Sequence, residues 1–256
     1  MSLNQAVVKN LFRKYESKAA MLPTKNLCLD CGSGILGDLN RDPLSPRQIL
    51  LTSMQELDQL SIPPGELREN IVLDLANSDC FQPGAKLTFA SGATIRLTVY
   101  CEPCRRVAHL VSSIKVLTQK RGILGVAIAG GEITVGDQVL IEPSYFPALS
   151  EEPYERFLAY IAQIPRGKVV TYRQILKCIG VDRSYFRVIP TYIKKAPADY
   201  PLHRILDSQG RTIVHLPQQP KQLAAEGIKL VPDAPHSPQY QVTLAQHVWQ
   251  HGFIYS

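Results

Sequence analysis

Four cysteines stand in two C-x-x-C pairs, Cys28-Leu29-Asp30-Cys31 and Cys101-Glu102-Pro103-Cys104, while Cys80 and Cys178 stand alone. Paired C-x-x-C units suit a tetrahedral zinc-thiolate site, although the gap between Cys31 and Cys101 is far longer than in zinc ribbons. The alternatives are that Cys104 acts as a separate reactive thiol or is buried and inert. Six cysteines in 256 residues are too few for a disulfide scaffold. The start Met1-Ser2-Leu3-Asn4-Gln5 lacks the basic-then-apolar pattern of an export signal, so reduced thiols in the cytoplasm are expected.

A second chemical feature is charge. Residues 1–149 hold 15 Lys and Arg against 14 Asp and Glu, whereas residues 150–256 hold 13 against 8. Within the latter, Arg166 to Arg211 carries ten basic residues against three acidic ones, a net +7. That density suggests a polyanion partner, with a merely solvated basic face as the alternative. The composition, 45% apolar and 20% charged, excludes a disordered chain. No run of about 18 apolar residues is present, so no membrane span is expected.

The elements that must position these groups fall into two styles. Three prolines between Glu142 and Pro153 separate them, and the boundary is placed between residues 149 and 150. Before it, short β-rich runs alternate with turns: Ala85 to Phe89, Ala93 to Tyr100, Gly125 to Ala129 and Gln138 to Ile141. Helices are expected at Ser45 to Leu60, before Pro63-Pro64, and at Arg105 to Lys120. After the boundary, Tyr154, Phe157, Leu158 and Ile161 follow helical spacing up to Pro165. Thr171-Tyr172-Arg173-Gln174 is a capping box, with Ile175, Leu176 and Ile179 as the inward stripe and Gly180 as the stop. A turn at Val181-Asp182-Arg183 leads into a second helix, Ser184 to Lys195, in helix-turn-helix form. Pro190 lies within that helix, which must therefore be kinked or begin late.

Ile164-Pro165-Arg166-Gly167-Lys168-Val169-Val170-Thr171-Tyr172-Arg173-Gln174-Ile175, Phe186-Arg187-Val188, Pro201-Leu202-His203-Arg204-Ile205 and Glu226-Gly227 occur in this order. Together they resemble the DNA-binding domain of the alkylguanine-DNA alkyltransferases. That family's acceptor cysteine lies in a Pro-Cys-His-Arg motif, where His and a downstream Glu favour the thiolate. Leu202 stands at that position, and leucine has no lone pair with which to take an alkyl group. Cys178, the nearest other thiol, falls on the helix stripe. The chain is therefore similar to the alkyltransferase-like proteins, which bind alkylated guanine in duplex DNA and pass it to excision-repair proteins; those usually carry Trp where Leu202 stands. The resemblance implies that Arg187 fills the space left by an extruded base and that Tyr172 presses on the phosphate beside it. Arg173, Lys194 and Lys195 would contact DNA, and Tyr172, Leu202, His203, Arg204 and Glu226 would form the base pocket. His203 and Glu226 would then be relics of thiol activation with a structural role.

Gly34-Ile35-Leu36-Gly37-Asp38, Arg47-Gln48-Ile49, Arg68-Glu69-Asn70-Ile71, Glu102-Pro103-Cys104, Arg121-Gly122 and Gly130-Gly131-Glu132-Ile133-Thr134-Val135-Gly136-Asp137 likewise occur in order. They resemble the MOSC domain, named after the C-terminal part of molybdenum cofactor sulfurases. The resemblance implies that Cys104 carries persulfide sulfur or ligates molybdenum in a pterin cofactor, with Arg105, Arg106 and Arg121 near it to favour the thiolate and a pterin phosphate. The expected fold is thus two domains. Residues 1–149 form a mainly β, barrel-like MOSC domain with a few helices, and residues 150–256 form a mainly α winged helix-turn-helix domain. The leading expectation is recognition of O-alkylated guanine without alkyl transfer. The alternative is a sulfur-transfer or molybdenum-dependent enzyme acting through Cys104 and brought to DNA by the second domain.

Overall fold

The computed structural model describes residues 4–234 and 237–252. Met1-Ser2-Leu3, on which the reading of the chain start partly rests, lies outside them. Tertiary contacts divide the chain into two units, Met1–Glu151 and Glu152–Ser256. Among the described residues no helix is long and apolar enough to cross a membrane.

The first unit contains β1 (Gln5–Arg13), β2 (Leu22–Thr24), β3 (Asn26–Asp30), β4 (Gly34–Ile35), β5 (Ile49–Ser53), α1 (Met54–Leu60), β6 (Ile71–Leu75), β7 (Lys86–Phe89), β8 (Thr94–Tyr100), β9 (Ile123–Ala129), β10 (Gly131–Thr134) and β11 (Gln138–Glu142). The order β11-β7-β8-β9-β5-β6-β1 closes through a β11–β1 pairing into a seven-stranded barrel, with β2 added on β1. All of these pairs are antiparallel except β5–β6. Strands β10, β3 and β4 form a separate small sheet. Period-two alternation explains β11, where Val139 and Ile141 are buried between more exposed neighbours. Closure seals a core that includes Leu51, Ile71, Leu87, Ile95 and Leu97 and leaves no open edge in the ring.

The four β-rich runs form β7, β8, β9 and β11, but both expected helices need correction. Only the second half of Ser45 to Leu60 is helical. Residues 49–53 are buried throughout because β5 has β9 on one edge and β6 on the other. A continuous apolar run in such a place is a strand interior, a pattern that resembles a buried helix when read alone. Ser53 then starts α1 by accepting a hydrogen bond from the Glu56 amide at 3.1 Å. Arg105 to Lys120 forms only two short 3₁₀ turns, Ala108–Leu110 and Ile114–Leu117. Val111 and Ser113 are extended between them, so the apolar residues reach one cluster from separate turns rather than along a helix face.

The second unit contains α2 (Pro153–Ala162), β12 (Val170–Thr171), α3 (Tyr172–Cys178), α4 (Ile189–Lys195), β13 (Ile205–Leu206), α5 (Gln219–Ala225), β14 (Leu230–Pro232), β15 (Tyr240–Val242) and α6 (Leu244–His247). The capping box is present in full: Thr171 Oγ1 accepts from the Gln174 amide and the Gln174 side chain accepts from the Thr171 amide. Gly180 closes the segment at φ +68°, a left-handed conformation suited to glycine. The second helix of the pair is shorter than expected. Residues 183–187 form a 3₁₀ turn capped by Asp182, and α4 begins only at Ile189, with Pro190 in its first turn. There the missing proline amide has no helical partner to lose, so the helix begins late instead of kinking.

Candidate functional site

Two-residue parallel pairing of β12 with β13 sets Val170 against Ile205 and Thr171 against Leu206. It seats the 3₁₀ turn Leu202–Arg204, just before β13, beside the Gly167 loop that precedes β12. Tyr172 follows β12 and so stands at the opposite end of the strand pair.

Glu226, at the C-terminal end of α5, gathers this turn. Its Oε1 lies 2.8 Å from His203 Nε2 and accepts from Arg204 Nη2 at 2.7 Å, while its Oε2 accepts from the Gly167 amide at 2.9 Å. Arg204 Nε donates to both carboxylate oxygens at 3.1 Å, and Arg204 Nη1 donates to the Ile164 carbonyl at 2.6 Å. Burial alone would raise the carboxyl pKa, but donors from Arg204, His203 and Gly167 outweigh it and hold Glu226 at about 2. The other end of α5 grips the same turn. Gln219, 1% exposed, donates to the carbonyls of His203 (3.0 Å) and Ile205 (2.6 Å) and accepts from the Ile213 amide.

A cavity of about 230 Å³ opens on this turn, with Tyr200, Leu202, His203, Leu216, Pro217 and Gln222 among its walls. Of the residues expected in one pocket, Leu202 and His203 line it. Arg204 and Glu226 support it without lining it, and Tyr172 is elsewhere. Tyr172 is 7% exposed, and burial together with the nearby Asp207 carboxylate pushes its phenol up to about 12. Its ring meets Phe186 edge-on at 5.9 Å, and Phe186 is 39% exposed. Arg173, Arg187, Lys194 and Lys195 are exposed. Arg187 ends the 3₁₀ turn and the two lysines end α4. Cys178 is fully buried, so the second domain presents no accessible thiol among its described residues. Sequence reading missed Tyr200, Leu216, Gln219 and Gln222 around the cavity. Glutamine is usually a surface residue, and only its tertiary partners identify Gln219.

In the first domain Cys104 is half-buried against the cluster of Val107, Leu117 and Phe12. Arg105 and Arg106 are exposed, whereas Arg121 is buried and donates through Nη1 to the Glu102 carbonyl, leaving its Nε without a partner. Gly122 beside it has φ +92°, and a Cβ there would lie 2.2 Å from the Leu51 carbonyl oxygen, so only glycine fits. Lys14 is 4% exposed, and its ammonium pKa is lowered, first by burial and then by the charges of Arg68 and Arg106, with Asp38 opposing and Arg121 adding. Arg68 and Arg106, with Lys18 and His109, also line a cavity of about 290 Å³. This convergence of cations was not visible in the sequence beyond Arg106 and Arg121.

The polar motif residues of this domain tie loops together. Asp38 Oδ2 accepts from the Lys14 amide (2.9 Å) and Asn70 Nδ2 (3.0 Å), and Asn70 Oδ1 accepts from the Leu50 amide. The alternative zinc site does not form. Cys28 and Cys31 belong to the small sheet region, where Cys31 Sγ donates to the Ile128 carbonyl, and among the described residues no three potential ligands stand together for a metal. Cys101 is buried, and that burial pushes its thiol pKa up.

Comparison with curated proteins found no match. Among solved structures the chain is similar to the YUAD protein from Bacillus subtilis, at 19% identity over 54% of this chain and 95% of that one, with a TM-score of 0.47. It is also similar to Atl1 of S. pombe in complex with damaged DNA containing O6-carboxymethylguanine, at 24% identity over 40% and 97% with a TM-score of 0.34. YiiM from Escherichia coli matches at 15% identity over 77% and 97%, with a TM-score of 0.40. Residues 45–140 match the MOSC domain family, and residues 152–228 match the DNA-binding domain of 6-O-methylguanine DNA methyltransferase. The chain therefore carries, in this order, a MOSC domain and a DNA-binding domain of the methylguanine methyltransferase type.

Proposed function

We propose that the second domain binds duplex DNA at O-alkylated guanine, receives the extruded base in the Leu202 cavity and transfers no alkyl group. One observation carries this reading: Leu202, which stands where the motif resemblance puts the acceptor thiol, lines the cavity beside His203 and Arg204, both of which bond to Glu226. A weakly paired damaged base is cheap to extrude, and an apolar wall favours its burial. Arg187 takes up the vacated stack, exposed Arg173, Lys194 and Lys195 meet phosphates, and the β14–β15 hairpin serves as the wing. Tyr172 acts through its neutral phenol, with Phe186 beside it. The bound lesion is then passed to excision-repair proteins.

The test compares binding of a methylguanine duplex with the same duplex unmodified, at stated salt, for the wild type and the Arg187→Ala and Tyr172→Ala variants. Tighter binding of the lesion, weakened in both variants, is expected; equal affinity for the two duplexes rejects the reading. Incubation with radiolabelled methylated DNA leaves the protein unlabelled if no transfer occurs.

The cations of the first domain favour a second reading, in which Cys104 works on or carries a group beside a bound anion. On the cavity wall Arg68 and Arg106 would hold a pterin cofactor phosphate, with the Glu66 carboxylate on the same wall opposing them, while Lys14 and Arg121 add positive charge from off the wall and Cys104 is not one of the wall residues. Such a cofactor would supply molybdenum redox chemistry, and a persulfide on Cys104 would supply sulfur. Metal and sulfur analysis of protein from a cofactor-producing host decides this, and absence of molybdenum, pterin and persulfide would reject it.

A further inference from the structure

We propose that the Leu202 cavity selects uncharged O6 substituents over anionic ones. The inference rests on the reading of the second domain as a binder of O-alkylated guanine and narrows its ligand class.

The cavity wall is apolar at Leu202, Leu216 and Pro217 and polar but uncharged at Tyr200 and Gln222. Among the described residues on the wall, His203 is the single member of a cationic type, and its Nε2 is taken by Glu226 at 2.8 Å. The nearest guanidinium in sequence, Arg204, is not on the wall. Three of its nitrogens are directed to Glu226 and to the Ile164 carbonyl. The positive charge close to the cavity is therefore already neutralised by the carboxylate that builds the turn.

A carboxylate carried into this partly open space would lose some of its water and meet on the described wall no cation-type side chain apart from His203, whose Nε2 is held by Glu226, so the charged group is disfavoured relative to a neutral one. A neutral group of the same size meets no such penalty. An alkyl chain is served by the leucines and proline, and an amide by glutamine, which both donates and accepts. The charge of the substituent, more than its bulk, is thus what this wall distinguishes.

The experiment uses the full chain and four duplexes differing at one base: guanine, O6-methylguanine, O6-carboxymethylguanine and O6-carbamoylmethylguanine, the neutral isostere of the acid. Fluorescence anisotropy at fixed salt and pH reads affinity. The amide and methyl duplexes are expected to bind at least about tenfold tighter than the acid. Gln222→Arg, a change at an exposed position, is expected to shrink the amide-to-acid ratio, whatever it adds to DNA affinity in general. Lesion preference with equal affinity for acid and amide, or a ratio unmoved by Gln222→Arg, overturns the inference alone. No preference for any lesion over guanine overturns the underlying reading as well.

Discussion

Glu226 receives hydrogen bonds from a histidine, an arginine and a backbone amide, so removing its charge leaves Arg204 inadequately paired in a largely enclosed site. Glu226→Gln is expected to cost about 3 kcal/mol at pH 7, measured by denaturant unfolding. The pH dependence follows from the sign of the shift. The folded carboxyl sits at about 2, below its ordinary 4.5, so its contribution is complete above pH 4.5 and fades as pH falls towards 2. The gap between wild type and variant should close over that window. At position 202, Leu202→Cys restores a thiol beside His203 with the Glu226 set intact. This variant is expected to take up label from methylated DNA while the wild type takes none, with intact-protein mass spectrometry as the readout. That a leucine occupies the position where the motif resemblance puts the acceptor cysteine was legible in the sequence. The hold of Gln219 on the same turn was not, because nothing local distinguishes a buried glutamine from a surface one.

At the scale of elements, the start of α3 was readable residue by residue, because a capping box is satisfied within four residues. Thr171→Ala should lower stability by about 1 kcal/mol without changing the fold, as thermal unfolding and circular dichroism would show. Gly122→Ala should be far more damaging, about 3 kcal/mol or more, since the new Cβ meets the Leu51 carbonyl and the residue sits at positive φ. The two misread helices also have local causes. Ile49 to Ser53 resembles one side of a helix until β6 and β9 are known to lie on either edge. Val107, Leu110, Val111 and Ile114 keep helical spacing, yet the chain between the two 3₁₀ turns is extended. Pro190 was the exception that could be reasoned out, since a proline inside a helix pattern points to a late start as one of two outcomes.

At the scale of the whole molecule, charge is concentrated in the second domain, with ten basic residues between Arg166 and Arg211. Binding to DNA should therefore weaken steeply with salt. Replacing both Lys194 and Lys195 by Ala should reduce the slope of log K against log salt by about 0.9 for each phosphate that is no longer neutralised, while Arg105→Ala leaves it unchanged. Titration of wild type and variants at several salt concentrations checks both. The sequence by itself determined the order of the two domains, the β-rich and helical styles, the capping box and the leucine in place of a thiol. All of these are written in neighbouring residues or in motif order. Only the tertiary structure decided that the barrel closes, that Lys14, Arg68, Arg106 and Arg121 converge, and that Glu226 braces a turn 23 residues before it. Such arrangements depend on strand pairing and burial between distant segments, and no local periodicity encodes which distant partners will meet.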